Sequence, residues 1–196
     1  YILSKYIYSK KQNINFNHNE IAKELDELNN KVALILNNQD KIKEISKRIS
    51  KLEHILFLGR DIMYPVAMEG ALKMKEVCYI HAEAYPAGEM KHGVNALIGE
   101  KMPSLVMAPT GNSFNKMLST VNEIKARDGK VIGLTDNDNN EFISLLSNYL
   151  IIDSYNYNLD VILYSINLQL LSFYTSLLLK INPDRPRNLA KTVTVE

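Results

Sequence analysis

From residue 55 onward, short apolar runs alternate with helical patterns, and that alternation leaves few folds open to the chain. The runs fall at residues 55–58, 105–108, 131–134 and 150–152. Between them the spacing predicts helices near 65–80, 113–128, 141–146 and 160–180. Strands that are apolar throughout, each followed by a helix, specify a parallel sheet covered on both faces. Local signals agree. Pro65 suits a first helical turn, Ser113 an N-cap, and Asp128-Gly129 a helix end before the next strand.

The first 50 residues read as helices alone. Residues 1–11 alternate Tyr, Ile and Leu with Lys and Ser, and residues 12–18 form a polar, Asn-rich linker. Asn17 and Glu20 make a capping-box start for a helix striped with Ile21, Leu25, Leu28, Val32 and Ile35. Asn37-Asn38 ends it, and Asp40 caps a third helix with Ile42, Ile45 and Ile49 on its apolar face.

Composition narrows the function classes. A net charge of +1 gives no general argument for nucleic acid or an anionic membrane as partner. The single cysteine, Cys78, allows no disulfide within the chain and suits a reducing, cytoplasmic setting. It falls among apolar residues, as a structural cysteine does and a nucleophile does not. The most apolar segment, 161–179, is about long enough to span a bilayer, but Ser165, Gln169, Ser172 and Ser176 draw a polar stripe along it, as on a buried helix. No signal peptide is visible, and a start at Tyr1 inside a helical pattern reads as a piece of something longer. No Walker loop, GxGxxG, paired CxxC or HExxH occurs.

Chemistry concentrates in Met68-Glu69-Gly70-Ala71-Leu72-Lys73-Met74-Lys75-Glu76. On a helix Glu69, Lys73 and Glu76 share one face, while Lys75 lies off it. Two carboxylates around an ammonium serve proton transfer, or simply form a solvated salt-bridge ladder. Ligands of parallel sheets bind beyond the carboxyl ends of strands, which points to the Gly59-Arg60-Asp61 turn and to Pro109-Thr110-Gly111-Asn112-Ser113. The second is either an anion cradle or a plain loop and cap. At the C-terminus two prolines, Pro183 and Pro186, forbid a continuing helix, and Leu189, Val193 and Val195 give the tail apolar surface with which to dock.

The helix motif, Tyr79-Ile80-His81-Ala82-Glu83-Ala84-Tyr85, Gly88-Glu89-Met90-Lys91-His92-Gly93 and the ending Pro186-Arg187-Asn188-Leu189-Ala190-Lys191-Thr192-Val193-Thr194-Val195-Glu196 together resemble the glutamine–fructose-6-phosphate aminotransferase (isomerizing), or glucosamine-6-phosphate synthase, family. The likeness covers the chain from Ile55 onward and, more loosely, the helices before it. It implies an α/β, three-layer sugar-isomerase (SIS) fold, with N-terminal helices and an irregular C-terminal tail. It also implies a division of the chain: residues 1–18 would end a preceding SIS domain, 19–180 would be the second SIS domain, and 181–196 the catalytic tail.

By the same resemblance, Glu76 matches the base that moves a proton between C1 and C2 of the open sugar, and Lys73 the lysine assisting it. His92 matches the ring-opening histidine, which reaches the neighbouring subunit's site and so implies a homodimer. Lys191 matches the tail lysine proposed to form an imine with the fructose carbonyl, and Ala190 a tail position lining the sugar site. The implied substrates are fructose 6-phosphate and glutamine-derived ammonia, and the product is glucosamine 6-phosphate for amino-sugar synthesis. The implied partners are the enzyme's own glutaminase and first SIS domains, the latter holding the phosphate loops. No metal or organic cofactor is implied. A carboxylate on a rigid helix, an imidazole and an amine fit that chemistry.

Some residues depart from the family pattern. Asp61 stands where a second glycine is usual, Val94-Asn95 is a variable pair, Asn167 replaces a common proline, and Lys180 with Pro183 alters the approach to the tail. Two competing readings remain: a non-catalytic SIS sugar-phosphate-binding module, which needs neither Glu76 nor Lys191, and a related sugar-phosphate isomerase or deglycase, against which the Arg-Asn-Leu-Ala-Lys tail argues.

Overall fold

A computed structural model describes residues 1–189. Three helices open the chain: α1 (Ile2–Gln12), α2 (His18–Asn37) and α3 (Asp40–Ile49). Then β1 (His54–Gly59), α4 (Met63–Cys78), β2 (His81–Pro86), β3 (Ser104–Met107), α5 (Phe114–Lys125), β4 (Val131–Thr135), α6 (Asn140–Ser144), β5 (Asn148–Ile151) and α7 (Tyr157–Leu178) follow. Two short 3-10 turns, Ala87–His92 and Val94–Leu97, lie between β2 and β3.

The five strands form one parallel sheet in the order β2-β1-β3-β4-β5. Strand alternation divides the core in two. Ile55, Phe57, Leu105, Met107, Ile132, Leu134 and Leu150 pack under α3, α4 and α7. Leu58, Val106, Ala108 and Val131 pack on the other face with Met117, Val121 and Ile124 of α5 and Phe142 of α6. The expected three-layer α/β fold is therefore present.

The long helix α7 is apolar enough to cross a membrane by length and composition. Here it packs against α3 and α4 in the centre of one layer. Several of its polar side chains are bonded within the helix: the Ser165 and Ser172 hydroxyls donate to the Val161 and Leu168 carbonyls, and Asn167 Nδ2 donates to the Leu163 carbonyl at 2.8 Å. Such back-bonding explains how a polar stripe sits on a buried helix. The N-terminal helices are less embedded. In α2 only Ile21 and Lys31 are buried, and the Lys31 ammonium reaches Asp153 at 2.7 Å to tie α2 to the end of β5.

Several local expectations shift. Strand β2 begins at His81, directly after the predicted 65–80 helix, on a run for which the sequence pattern predicts no strand. The Asn17 side chain caps α2 as expected, accepting from the Glu20 N–H at 3.1 Å. In α3, however, Gln39 takes the N-cap position and Asp40 is already helical. After α5 the left-handed residue is Asp128, with φ 57°, not Gly129. Gly129 is required for space instead, since a Cβ there would lie 2.5 Å from Ile124 Cγ2.

Candidate active site

Helix α4 is built from good helix formers and is clamped between β1 and α7. Its inner face buries Met63, Val66, Ala67, Gly70, Ala71, Met74 and Cys78. Gly70 marks the closest approach: a Cβ there would lie 2.7 Å from Leu168 Cδ1 and 2.9 Å from Phe57 Cε1. With the inner face fixed so tightly, the outer edge is held in place too. That edge carries Glu69, Lys73 and Glu76.

The Lys73 ammonium donates to Glu76 Oε2 at 2.7 Å and lies 4.0 Å from Glu69 Oε1. All three side chains are about a third exposed, at 33%, 32% and 28% for Glu69, Lys73 and Glu76. The Glu76 carboxylate holds the Lys73 ammonium above the usual lysine range, against the opposing effect of partial burial. At neutral pH Lys73 is thus a fixed positive charge and not a base. Glu69 accepts from Gln169 Nε2 at 3.2 Å, which anchors it to α7. Glu76 has only Lys73 as a hydrogen-bond partner among the described residues. The arrangement offers one part-open carboxylate on a rigid support, with a cation beside it. Lys75 is exposed, off this face. The Cys78 thiol is buried, donates to the Ser172 carbonyl at 3.1 Å and is pushed up to about 12 by burial, so it stays protonated.

His92 ends the Ala87–His92 turn. That turn packs through Ala87 and Met90 into the α5 side of the sheet, the face opposite α4. The imidazole is 75% exposed, with only Glu89 nearby at 3.8 Å. Within one copy of the chain the structure therefore does not bring His92 to Glu76. Ala190 and Lys191 lie outside the described residues. The approach to them is described: α7 ends with Lys180 at φ 59°, and the chain turns back so that the Arg187 N–H donates to the Tyr79 hydroxyl at 2.7 Å. Tyr79 immediately follows α4, one turn from Glu76. No local signal marked it, because a tyrosine is not the expected residue at a helix end.

At the carboxyl ends of the strands, polar groups of neighbouring loops bond one another. Strand order reverses between β1 and β3, the usual ligand position in such sheets. There the Ser113 hydroxyl donates to the Asp61 carboxylate rather than capping α5. Next to it, the Thr110 N–H and hydroxyl donate to Asp136 at 2.6 and 2.5 Å. The Thr110 N–H and hydroxyl and the Ser113 hydroxyl are thus spent on two carboxylates, whose charge opposes an anion there. Asp61 sits at φ 52°, a conformation open to Asp and Gly, which accounts for Asp at that turn. Asp136 was not singled out from sequence, although its place just after β4 is the signal that could have found it. Among the described residues no group of three His, Cys, Asp or Glu side chains could hold a metal ion.

With this geometry in place, comparison with known proteins decides the family. The SIS domain family model matches residues 48–179. The chain belongs to the SIS domain family. Among curated relatives, glutamine–fructose-6-phosphate aminotransferase [isomerizing] of Chlorobaculum tepidum is 47% identical over 174 residues, covering 89% of this chain and 28% of the relative. The same enzyme of Brucella abortus is 40% identical over 178 residues, covering 90% and 29%. This SIS chain thus spans under a third of the length of the relatives it matches. A solved structure, the C-terminal domain of glucosamine-fructose-6-phosphate aminotransferase from Francisella tularensis, superposes with a TM-score of 0.78 at 37% identity, over 85% of this chain and 47% of that one. A putative tagatose-6-phosphate ketose/aldose isomerase from Clostridium novyi shares the fold, with a TM-score of 0.75 at 21% identity.

Proposed function

We propose that this SIS domain is the C-terminal isomerase part of a glucosamine-6-phosphate synthase. The full-length protein converts fructose 6-phosphate and glutamine-derived ammonia to glucosamine 6-phosphate. The observation that carries this reading is the Lys73–Glu76 pair on the flank of a tightly clamped helix, in a chain whose curated relatives are that aminotransferase. Glu76 is the base for the C1–C2 proton, and Lys73 is its charge partner. His92 serves ring opening, Lys191 engages the carbonyl as an imine, and Ala190 lines the sugar site.

The separation of His92 and Glu76 on opposite faces of the sheet favours a site assembled from two subunits, and hence a homodimer. The two carboxylates, Asp61 and Asp136, that hold the crevice donors favour a phosphate site on another domain of the same protein. Residues 1–18 then end the first SIS domain, 19–180 are the second, and 181–196 form the tail. The setting is cytoplasmic.

The test compares the full-length protein with residues 1–196 alone, following fructose 6-phosphate to glucosamine 6-phosphate. The full-length enzyme is expected to turn over and the isolated segment is not. Robust isomerisation by the segment alone contradicts the composite site. A full-length protein that makes no glucosamine 6-phosphate contradicts the function.

A further inference from the structure

Tyr79 adopts φ 59° and ψ 21° directly after α4. A left-handed residue at that place is common, but it is usually glycine, because a Cβ there is crowded by the backbone. A bulky aromatic side chain in this region is a real outlier, and it persists only where the side chain has something to hold. Tyr79 holds the root of the C-terminal tail. Its hydroxyl accepts from the Arg187 N–H at 2.7 Å, and its ring lies under the Arg187 guanidinium, 4.1 Å from the ring centroid. The contact joins positions 108 residues apart in sequence.

We infer that Tyr79 is a positioning residue for the isomerase reaction: it latches the root of the tail at Arg187 beside the end of α4, the helix that carries Glu76. The inference rests on the proposed roles of Glu76 and Lys191. The lengths favour it. Tyr79 is three residues past Glu76, about one turn of α4, so the latch sits close to the base. Arg187 is four residues before Lys191, and four residues span at most about 14 Å. A fixed root therefore leaves Lys191 only four residues along the chain from the Arg187 anchor. A free tail would be pinned only at the end of α7, and would pay more conformational entropy each time it docked. The two contacts are also of different kinds, a hydrogen bond and a cation–π stack, so they can be removed separately.

The experiment uses the full-length enzyme and three variants: Tyr79→Gly, Tyr79→Phe and Arg187→Ala. Glycine suits the backbone at φ 59° better than tyrosine, so Tyr79→Gly is expected to keep its melting temperature. Its isomerase kcat is expected to fall about tenfold, with glutaminase activity unchanged. Tyr79→Phe keeps the ring and is expected to recover most of that loss, remaining about threefold below wild type. Arg187→Ala breaks the stack from the tail side and is expected to fall about fivefold, and it decides the matter if the glycine variant does not fold. A purely local role at the helix end predicts the reverse, a glycine variant as active as wild type. Isomerase kcat within twofold of wild type in both Tyr79→Gly and Arg187→Ala overturns the latch. A Glu76→Gln control separates this from failure of the site itself: if it keeps C1–C2 proton exchange, the assigned base is wrong whatever Tyr79 does.

Discussion

On the flank of α4, the Glu76 carboxylate faces an ammonium; in the crevice between β1 and β3, the Asp61 and Asp136 carboxylates face the hydroxyls of Ser113 and Thr110. The crevice is where sheets of this topology usually bind ligands, and here its donors are consumed internally. The flank is where an ordinary helix would carry only a solvated ladder. What separates the two is the kind of partner. Each crevice carboxylate takes neutral donors from another loop, whereas Glu76 takes its hydrogen bond from a cation on its own helix.

The comparison can be broken at either end. The largest effect is expected from Lys73→Met in the full-length enzyme, which removes the charge beside Glu76 and should lower C1–C2 proton exchange about 100-fold with the fold intact. Exchange within a few-fold of wild type would make the pair a surface ladder after all. Next, Gly70→Ala drives a methyl into Leu168 and Phe57 and should cost roughly 1–3 kcal/mol in a denaturant titration. No loss would mean that α4 is not held tightly enough to aim its outer face. Asp136→Ala frees both Thr110 donors at an exposed loop, and should cost about 1 kcal/mol while isomerase turnover stays within twofold. A large loss of turnover there would move the site back to the crevice. The smallest effect concerns Cys78. With its thiol pushed up to about 12, native protein should resist alkylation up to pH 9 and react only when unfolded. The folded state holds this proton more tightly, so its contribution to stability is present below the ordinary thiol value of 9.0 and is lost as pH rises toward 12.

Much of this was legible because the central strands are buried on both faces. Residues such as Leu105, Val106, Val131 and Leu134 had to be apolar without a break, and such runs stand out. The edge strand β2 escaped because an edge has no such demand. His81 is exposed, only Ala82 is fully buried, and Glu83 and Tyr85 are half-buried, so no apolar run forms. The Glu69–Lys73–Glu76 face followed from helical spacing alone. Its neighbours did not: Gln169 on Glu69, and Arg187 on Tyr79, are contacts across 100 and 108 residues that no local pattern encodes. Helices α4 and α5 end two and three residues before the predicted 80 and 128, where Tyr79 and Asp128 take left-handed conformations more often held by glycine.

The site assignment stands most directly on one measurement, solvent-proton exchange at C1 and C2 of fructose 6-phosphate by the full-length Glu76→Gln enzyme. If Glu76 is the base, exchange falls about 1000-fold while glutamine hydrolysis continues. Exchange at the wild-type rate in that variant would remove Glu76, and the flank of α4 with it, from the chemistry.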